Sequence, residues 1–250
     1  MTDEFLKTGC CGFPVPKEEY AARFPTGEVQ QTFYQPPRLA TLQRWRALVP
    51  KEFEFTLKAW QLITHTAKSP TFRRLKIKLA PGELAQCGSF QFTPPVLRAW
   101  ETSWRCAEAL QARRILFQCP ASFLPSLQNL RQTRHFFSSI DRHGLTLIWE
   151  PRGDWNPVLI RSLCEELDLI QAVDPLVSQS VTPHFIYFRL HGGKGFKHVY
   201  STEELHFVRE QIRSGVPAYV LFNNIQMWQD ATRFAALEEA QENYRRDDLK

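Results

Sequence analysis

Several patterns that would assign a function are missing from this chain. Its 250 residues hold no CxxC pair among six cysteines, no HxH or HExxH spacing among seven histidines, and no P-loop pattern. A multinuclear zinc centre and an ordinary nucleotide-cradling loop are therefore not expected. No uncharged apolar stretch approaches the length of a membrane span, so no membrane association is expected. Met1–Lys7 carries two acids and no apolar core, which argues against a signal peptide. Thiols scattered through apolar runs then fit buried cysteines in a reduced, cytoplasmic protein. No repeat, linker or low-complexity segment divides the chain, which predicts one domain over residues 1–250.

What is present is ordinary in bulk and informative in pattern. The chain is 43% hydrophobic and 23% charged, enough to bury a core without disulfide or metal. Its net charge of +5 is compatible with an anionic ligand or with nucleic acid. Eight short apolar runs recur: Leu6–Phe13, Val29–Gln35, Phe53–Trp60, Arg114–Pro120, Leu145–Arg152, Leu169–Pro175, Phe185–His191 and Ala218–Asn224. Most end in polar or ionisable residues, and helix-like stretches separate most of them. That alternation predicts a (β/α)8 barrel, whose chemistry gathers where the strands finish.

The spacing predicts helices over Pro14–Phe24, Leu39–Val49, Pro94–Leu110, Ser122–Ile140, Val158–Leu167, Thr202–Ser214 and Trp228–Tyr244. Asn156 is the expected N-cap of the fifth of these, with Pro157 at its first position. Trp60 to Phe92 reads as an irregular insertion after the third strand, carrying His65 and a basic patch at Lys68, Arg73, Arg74, Lys76 and Lys78. Between Pro175 and Pro183 there is room for only a short link, so the sixth helix should be reduced.

Several strings together resemble the YecE-like family, a domain of unknown function numbered 72. They are Thr-Phe-Tyr (32–34) after Glu28, Phe-Glu-Phe-Thr-Leu-Lys-Ala (53–59), Thr64-His65, Gln118-Cys119-Pro120, Trp149-Glu-Pro-Arg152, Asp174, Arg189-Leu-His-Gly192, Tyr200 and Phe222-Asn-Asn224. They run nearly the whole chain in the family's order. Cys10-Cys11 and Gln30-Gln31 depart from the family's usual pattern. The resemblance implies a TIM-type barrel and candidate residues, and brings no assigned reaction with it.

Strand alternation shows which residues can look inward together. Arg189 and His191 share a face, as do Glu150 and Arg152, Thr56 and Lys58, and Glu28, Gln30, Thr32 and Tyr34; Asp174, Asn223 and Asn224 end their runs. Charges buried on strands need partners or a ligand, so these groups form either a ring of ion pairs or a polar substrate pocket. In the pocket reading Glu150, His191, Asp174 and Lys58 are the catalytic candidates. Glu150, or its rival Asp174, is the general base, His191 shuttles a proton, and Lys58 is a clamp or amine. Glu28, Tyr34, His65, Gln118, Arg152, Arg189, Asn223 and Asn224 would bind substrate, Arg189 gripping a carboxylate or phosphate. No metal site is assigned; one Mg²⁺ or Mn²⁺ is the metal for which the ligand types leave room.

The expected function is an enzyme, a hydrolase, lyase or isomerase, acting on a small anionic substrate at the carboxyl ends of the strands. The alternatives are a nucleic-acid-binding or phosphodiester-cleaving protein, which the basic patch favours, and a non-catalytic ligand-binding barrel.

Overall fold

In the computed structural model, residues 5–193 and 195–247 are described. Eight parallel strands hydrogen-bond in chain order as a closed barrel: β1 (Leu6–Cys10), β2 (Thr26–Val29), β3 (Glu54–Lys58), β4 (Arg114–Gln118), β5 (Thr146–Glu150), β6 (Ile170–Val173), β7 (Ile186–Leu190) and β8 (Ala218–Phe222). Ten α-helices occupy the connections of the described residues: α1 (Lys17–Arg23), α2 (Gln31–Tyr34), α3 (Leu39–Ala47), α4 (Gln61–Thr64), α5 (Pro81–Ala85), α6 (Pro94–Leu110), α7 (Leu127–Ser139), α8 (Pro157–Glu166), α9 (Thr202–Glu210) and α10 (Met227–Asp247). Among those residues none is long and apolar enough to cross a membrane. The chain groups into two units, one of Met1–Glu28, Pro50–Phe53 and Ala172–Lys250, the other of Val29–Val49 and Glu54–Gln171.

In the first unit, β1 pairs with β2 and with β8, and β8 pairs with β7 over five positions from Ile186↔Ala218 to Leu190↔Phe222. The Tyr20 hydroxyl of α1 accepts from the Cys10 amide at 2.6 Å and donates to the Thr26 carbonyl at 3.0 Å, pinning β1 to β2. Gly27 is required by that packing. A Cβ there would stand 2.9 Å from the Phe13 ring and 3.0 Å from Tyr20.

The second strand corrects the sequence reading. It is Thr26–Val29 rather than Val29–Gln35, and Gln31–Tyr34 coils into α2. Thr32 is the reason: its hydroxyl lies 3.0 Å from the Val29 carbonyl and 2.7 Å from that of Lys58, tying the turn to the end of β3. Glu28 therefore stays on a strand, while Thr32 and Tyr34 lose the strand parity expected of them. No helix lies between Val173 and Ile186, so the sixth helix is absent. α9 stops at Glu210, short of Ser214. Lys194, in the glycine-flanked loop after β7, lies outside the described residues.

In the second unit, β3, β4 and β5 pair in parallel register, with Gln118 opposite Glu150. α6 buries Val96, Ala99, Trp100, Ser103, Ala107 and Leu110, the three-and-four spacing of a helix with one apolar face. Phe90, Phe117, Phe136 and Phe137 pack ring against ring with centroids 5.0–6.1 Å apart. The Asn156 side chain accepts from the Val158 amide at 2.8 Å, the cap expected for α8. The stretch after β3 is more ordered than its composition suggests, holding α4, a 3₁₀ turn at Pro70–Arg74, and α5.

Candidate functional site

The polar residues singled out by the sequence do finish strands, and within each unit they form a cluster. In the first unit Glu28 and Arg189 are both fully buried. Arg189 Nη2 donates to Glu28 Oε1 at 2.8 Å and Nε donates to Oε2 at 3.2 Å, a forked pair. Tyr187, two residues earlier on the same face of β7, adds a hydroxyl donation to Oε2 at 3.0 Å. The fork expected to grip a substrate anion is thus engaged by the protein's own carboxylate. A charge pair this deep is stabilised by its geometry and extra hydrogen bond against a desolvation cost of several kcal/mol per ion.

Arg189 also sets the state of His191. Its Nη1 lies 3.2 Å from His191 Nε2, and the Asn223 side-chain amide lies 2.9 Å from Nδ1. Arginine can only donate, so Nε2 is the acceptor in that contact. The backbone amide of His191 donates to Asp174 Oδ2 at 3.0 Å, and the Leu176 amide donates to Oδ1 at 3.0 Å. Burial raises the Asp174 carboxyl, against the lowering effect of these amides. Glu28, Arg189, His191, Asn223 and Asp174 are therefore brought together.

Asn224 is drawn away from them. Fully buried, its amide nitrogen donates to Asp230 Oδ2 at 2.7 Å and to the His198 carbonyl at 2.8 Å, fastening the end of β8 to α10.

In the second unit the cluster is cationic and acidic at once. Lys58, the last residue of β3, is 5% exposed, and its ammonium stands 3.7 Å from the Phe33 ring centroid. Glu150, the last residue of β5, accepts from Arg152 Nε at 2.7 Å. His65 follows α4, its Nδ1 at 2.8 Å from the Thr64 hydroxyl and its ring edge-on to Phe33 at 4.9 Å. The imidazole is pushed down to about 3, first by burial and then by the positive charges of Lys58 and Arg152. It is uncharged throughout the neutral range.

A strained segment holds that histidine. Gly88, Ser89 and Phe90 all have positive φ, +86°, +53° and +55°. Their amides donate to the carbonyls of Leu62, Thr64 and Ile63, capping the short helix α4 from outside. Gly88 passes so close to the His65 backbone that a Cβ would run into its carbonyl. Consecutive left-handed residues persist only where surrounding contacts compel them.

Of the remaining candidates, Gln118 sits beside Glu150 across the β4–β5 ladder. Tyr34 is half-buried beneath the Arg74 guanidinium, 3.5 Å from its ring centroid. Two contributors, Tyr187 and Phe33, lie outside the expected set. Tyr187 was legible, since it shares the parity of Arg189 and His191. Phe33, which carries the Lys58 ammonium, falls in the Thr-Phe-Tyr string, but strand parity does not point it there; the helix α2 does.

The six cysteines are all reduced and buried. Burial raises Cys10 to about 12 and raises Cys119 further, so neither is a ready thiolate. Among the described residues no group of three His, Cys, Asp or Glu side chains is arranged to hold a metal ion.

Comparison with known proteins agrees with the barrel. A DUF72 family protein from Enterococcus faecalis superposes with a TM-score of 0.70 at 18% identity, covering 94% of this chain and 95% of that one. One from Thermotoga maritima gives 0.66 at 20% identity, covering 94% and 100%. A xylose isomerase domain containing protein from Salmonella typhimurium gives 0.57 at 12% identity, covering 97% of each, a likeness of fold alone. No curated protein matches the sequence. The family described as "Protein of unknown function DUF72" matches residues 17–248, and with the eight-stranded barrel in view, the chain belongs to the DUF72 family.

Proposed function

We propose that this protein is an enzyme acting on a small anionic substrate, bearing a phosphate or a carboxylate, with the reaction centred on the strand ends of β3 and β5. Lys58 and Arg152 attract the anion, Glu150 serves as general base, and neutral His65 offers a hydrogen bond without adding charge. The observation that carries this reading is the placement of two cations, Lys58 and Arg152, beside the buried His65 ring, where both add to the lowering that burial begins. Burial disfavours charge of either sign, and the two cations are the part of the effect that favours an anion. The Asp174–His191–Asn223 group supplies a second acid–base constellation in the other unit.

The test is thermal unfolding of the full chain with inorganic phosphate, sugar phosphates and small carboxylates. One class is expected to raise the melting temperature, and the rise should vanish in Lys58→Met. If no anion stabilises the wild type, the substrate reading fails.

The exposed cations Lys68, Arg73, Arg74, Lys76 and Lys78 favour a second reading, a nucleic-acid-binding protein. No acid lies between Glu54 and Glu83, and the segment leans on Tyr34 through Arg74 and on Gln35 through the Lys76 amide at 3.1 Å. Retention on RNA or DNA that falls steeply with salt would support it, and its absence would remove it.

A further inference from the structure

The missing sixth helix leaves a cavity on the outer side of β7. Tyr187 and Arg189 point toward Glu28, so Ile186 and Phe188 face the opposite way. In a (β/α)8 barrel a helix ordinarily covers that outward face. Here the link from Asp174 to Phe185 has no helix, and a cavity of about 290 Å³ remains. Ile186 and Phe188 give it an apolar patch within a mainly polar lining, to which Glu210 and Arg213, from the end of α9 and the turn after it, bring two opposite charges. Both of these residues are exposed, and among the described residues no ion pair joins them.

We infer that this cavity binds a small zwitterion with an apolar side chain, of the free amino acid type. Its ammonium would be held by Glu210, at the C-terminal end of α9, where the helix dipole also favours a cation. Its carboxylate would go to Arg213, which offers a planar fork of donors. Its side chain would lie on Ile186 and Phe188. The volume argues for metabolite size, since it lies just below the roughly 300–1,000 Å³ of drug-sized sites. The site is distinct from the cluster around Lys58 and involves none of its residues.

The experiment is isothermal titration of the full chain with L-phenylalanine and L-leucine, beside phenethylamine and 3-phenylpropionate as analogues lacking one charge. At least one amino acid should bind saturably, and each single-charge analogue at least tenfold more weakly. Glu210→Gln and Arg213→Met, both on the surface and expected to fold, should each weaken amino acid binding by a similar factor. Absence of saturable binding to the wild type, equal binding of the analogues, or binding unchanged in both variants would each overturn the inference.

Discussion

The guanidinium of Arg189 and the carboxylate of Glu28 meet through two hydrogen bonds, 2.8 and 3.2 Å long, where neither residue reaches solvent. The pair joins β7 to β2, and the third arm of Arg189 reaches His191 Nε2. Arg189 therefore acts as a positioning residue, holding the His191 ring by its Nε2.

Removing one half of that pair should be costly. Glu28→Gln or Arg189→Met leaves the other charge buried without its partner, with an expected loss of about 3–5 kcal/mol. Urea unfolding measures it. The double variant Glu28→Met with Arg189→Met should recover much of the loss, because no lone charge remains. A cost below about 1 kcal/mol for Glu28→Gln would show that the pair does not hold these strands.

His65 makes stability depend on pH. Its folded value of about 3 lies below its ordinary 6.5, so the unfolded chain binds the proton first. Its contribution is fully present above about pH 6.5 and is lost as pH falls toward 3. Asp174, whose folded value is raised, works in the opposite sense, its contribution fading as pH rises through its own transition. Unfolding free energies across this range should fall less steeply with acid in His65→Gln. An unchanged slope would mean that His65 is not held neutral.

Lys58 should control the titration of the same ring. Lys58→Met removes one of the two cations that depress it, so the His65 value should move up, as followed by NMR of the imidazole protons. A value that stays put would separate Lys58 from His65 and weaken the anion-binding reading.

Gly88→Ala tests the strained turn. The new methyl would meet the His65 backbone at a φ of +86°, with strain alone worth about 1–3 kcal/mol. Because the obstacle is backbone, the turn must move, and His65 should shift its titration as stability falls. Loss of stability with an unmoved His65 titration would make the turn a purely structural device.

The Asn156 cap offers a calibration. Asn156→Ala removes the acceptor for the Val158 amide and should cost about 1 kcal/mol in thermal or urea unfolding. A neutral outcome would mean that α8 is held by packing alone.

Seven of the eight strands are legible because each falls within a short, largely apolar or alternating run; Phe53–Ala59 is the clearest, alternating side by side. β2 was displaced because Thr26-Gly27-Glu28-Val29 looks unlike a strand. Gly27 is small because aromatic rings need its space, and Glu28 is charged because Arg189 awaits it. Neither requirement can be seen locally. The same holds for α2, whose turn is tied by a threonine hydroxyl to a carbonyl 26 residues further along.

Periodicity by itself therefore determined the barrel and which side chains sit near the strand ends, because those follow from backbone geometry repeated every two or 3.6 residues. Only the tertiary structure decided which charge answers which. Arg189 turns to Glu28, Arg152 to Glu150, and Asn224 to Asp230. The physical reason is that a charge in a low-dielectric interior is governed by neighbours a few ångströms away, and distance along the chain carries no information about them.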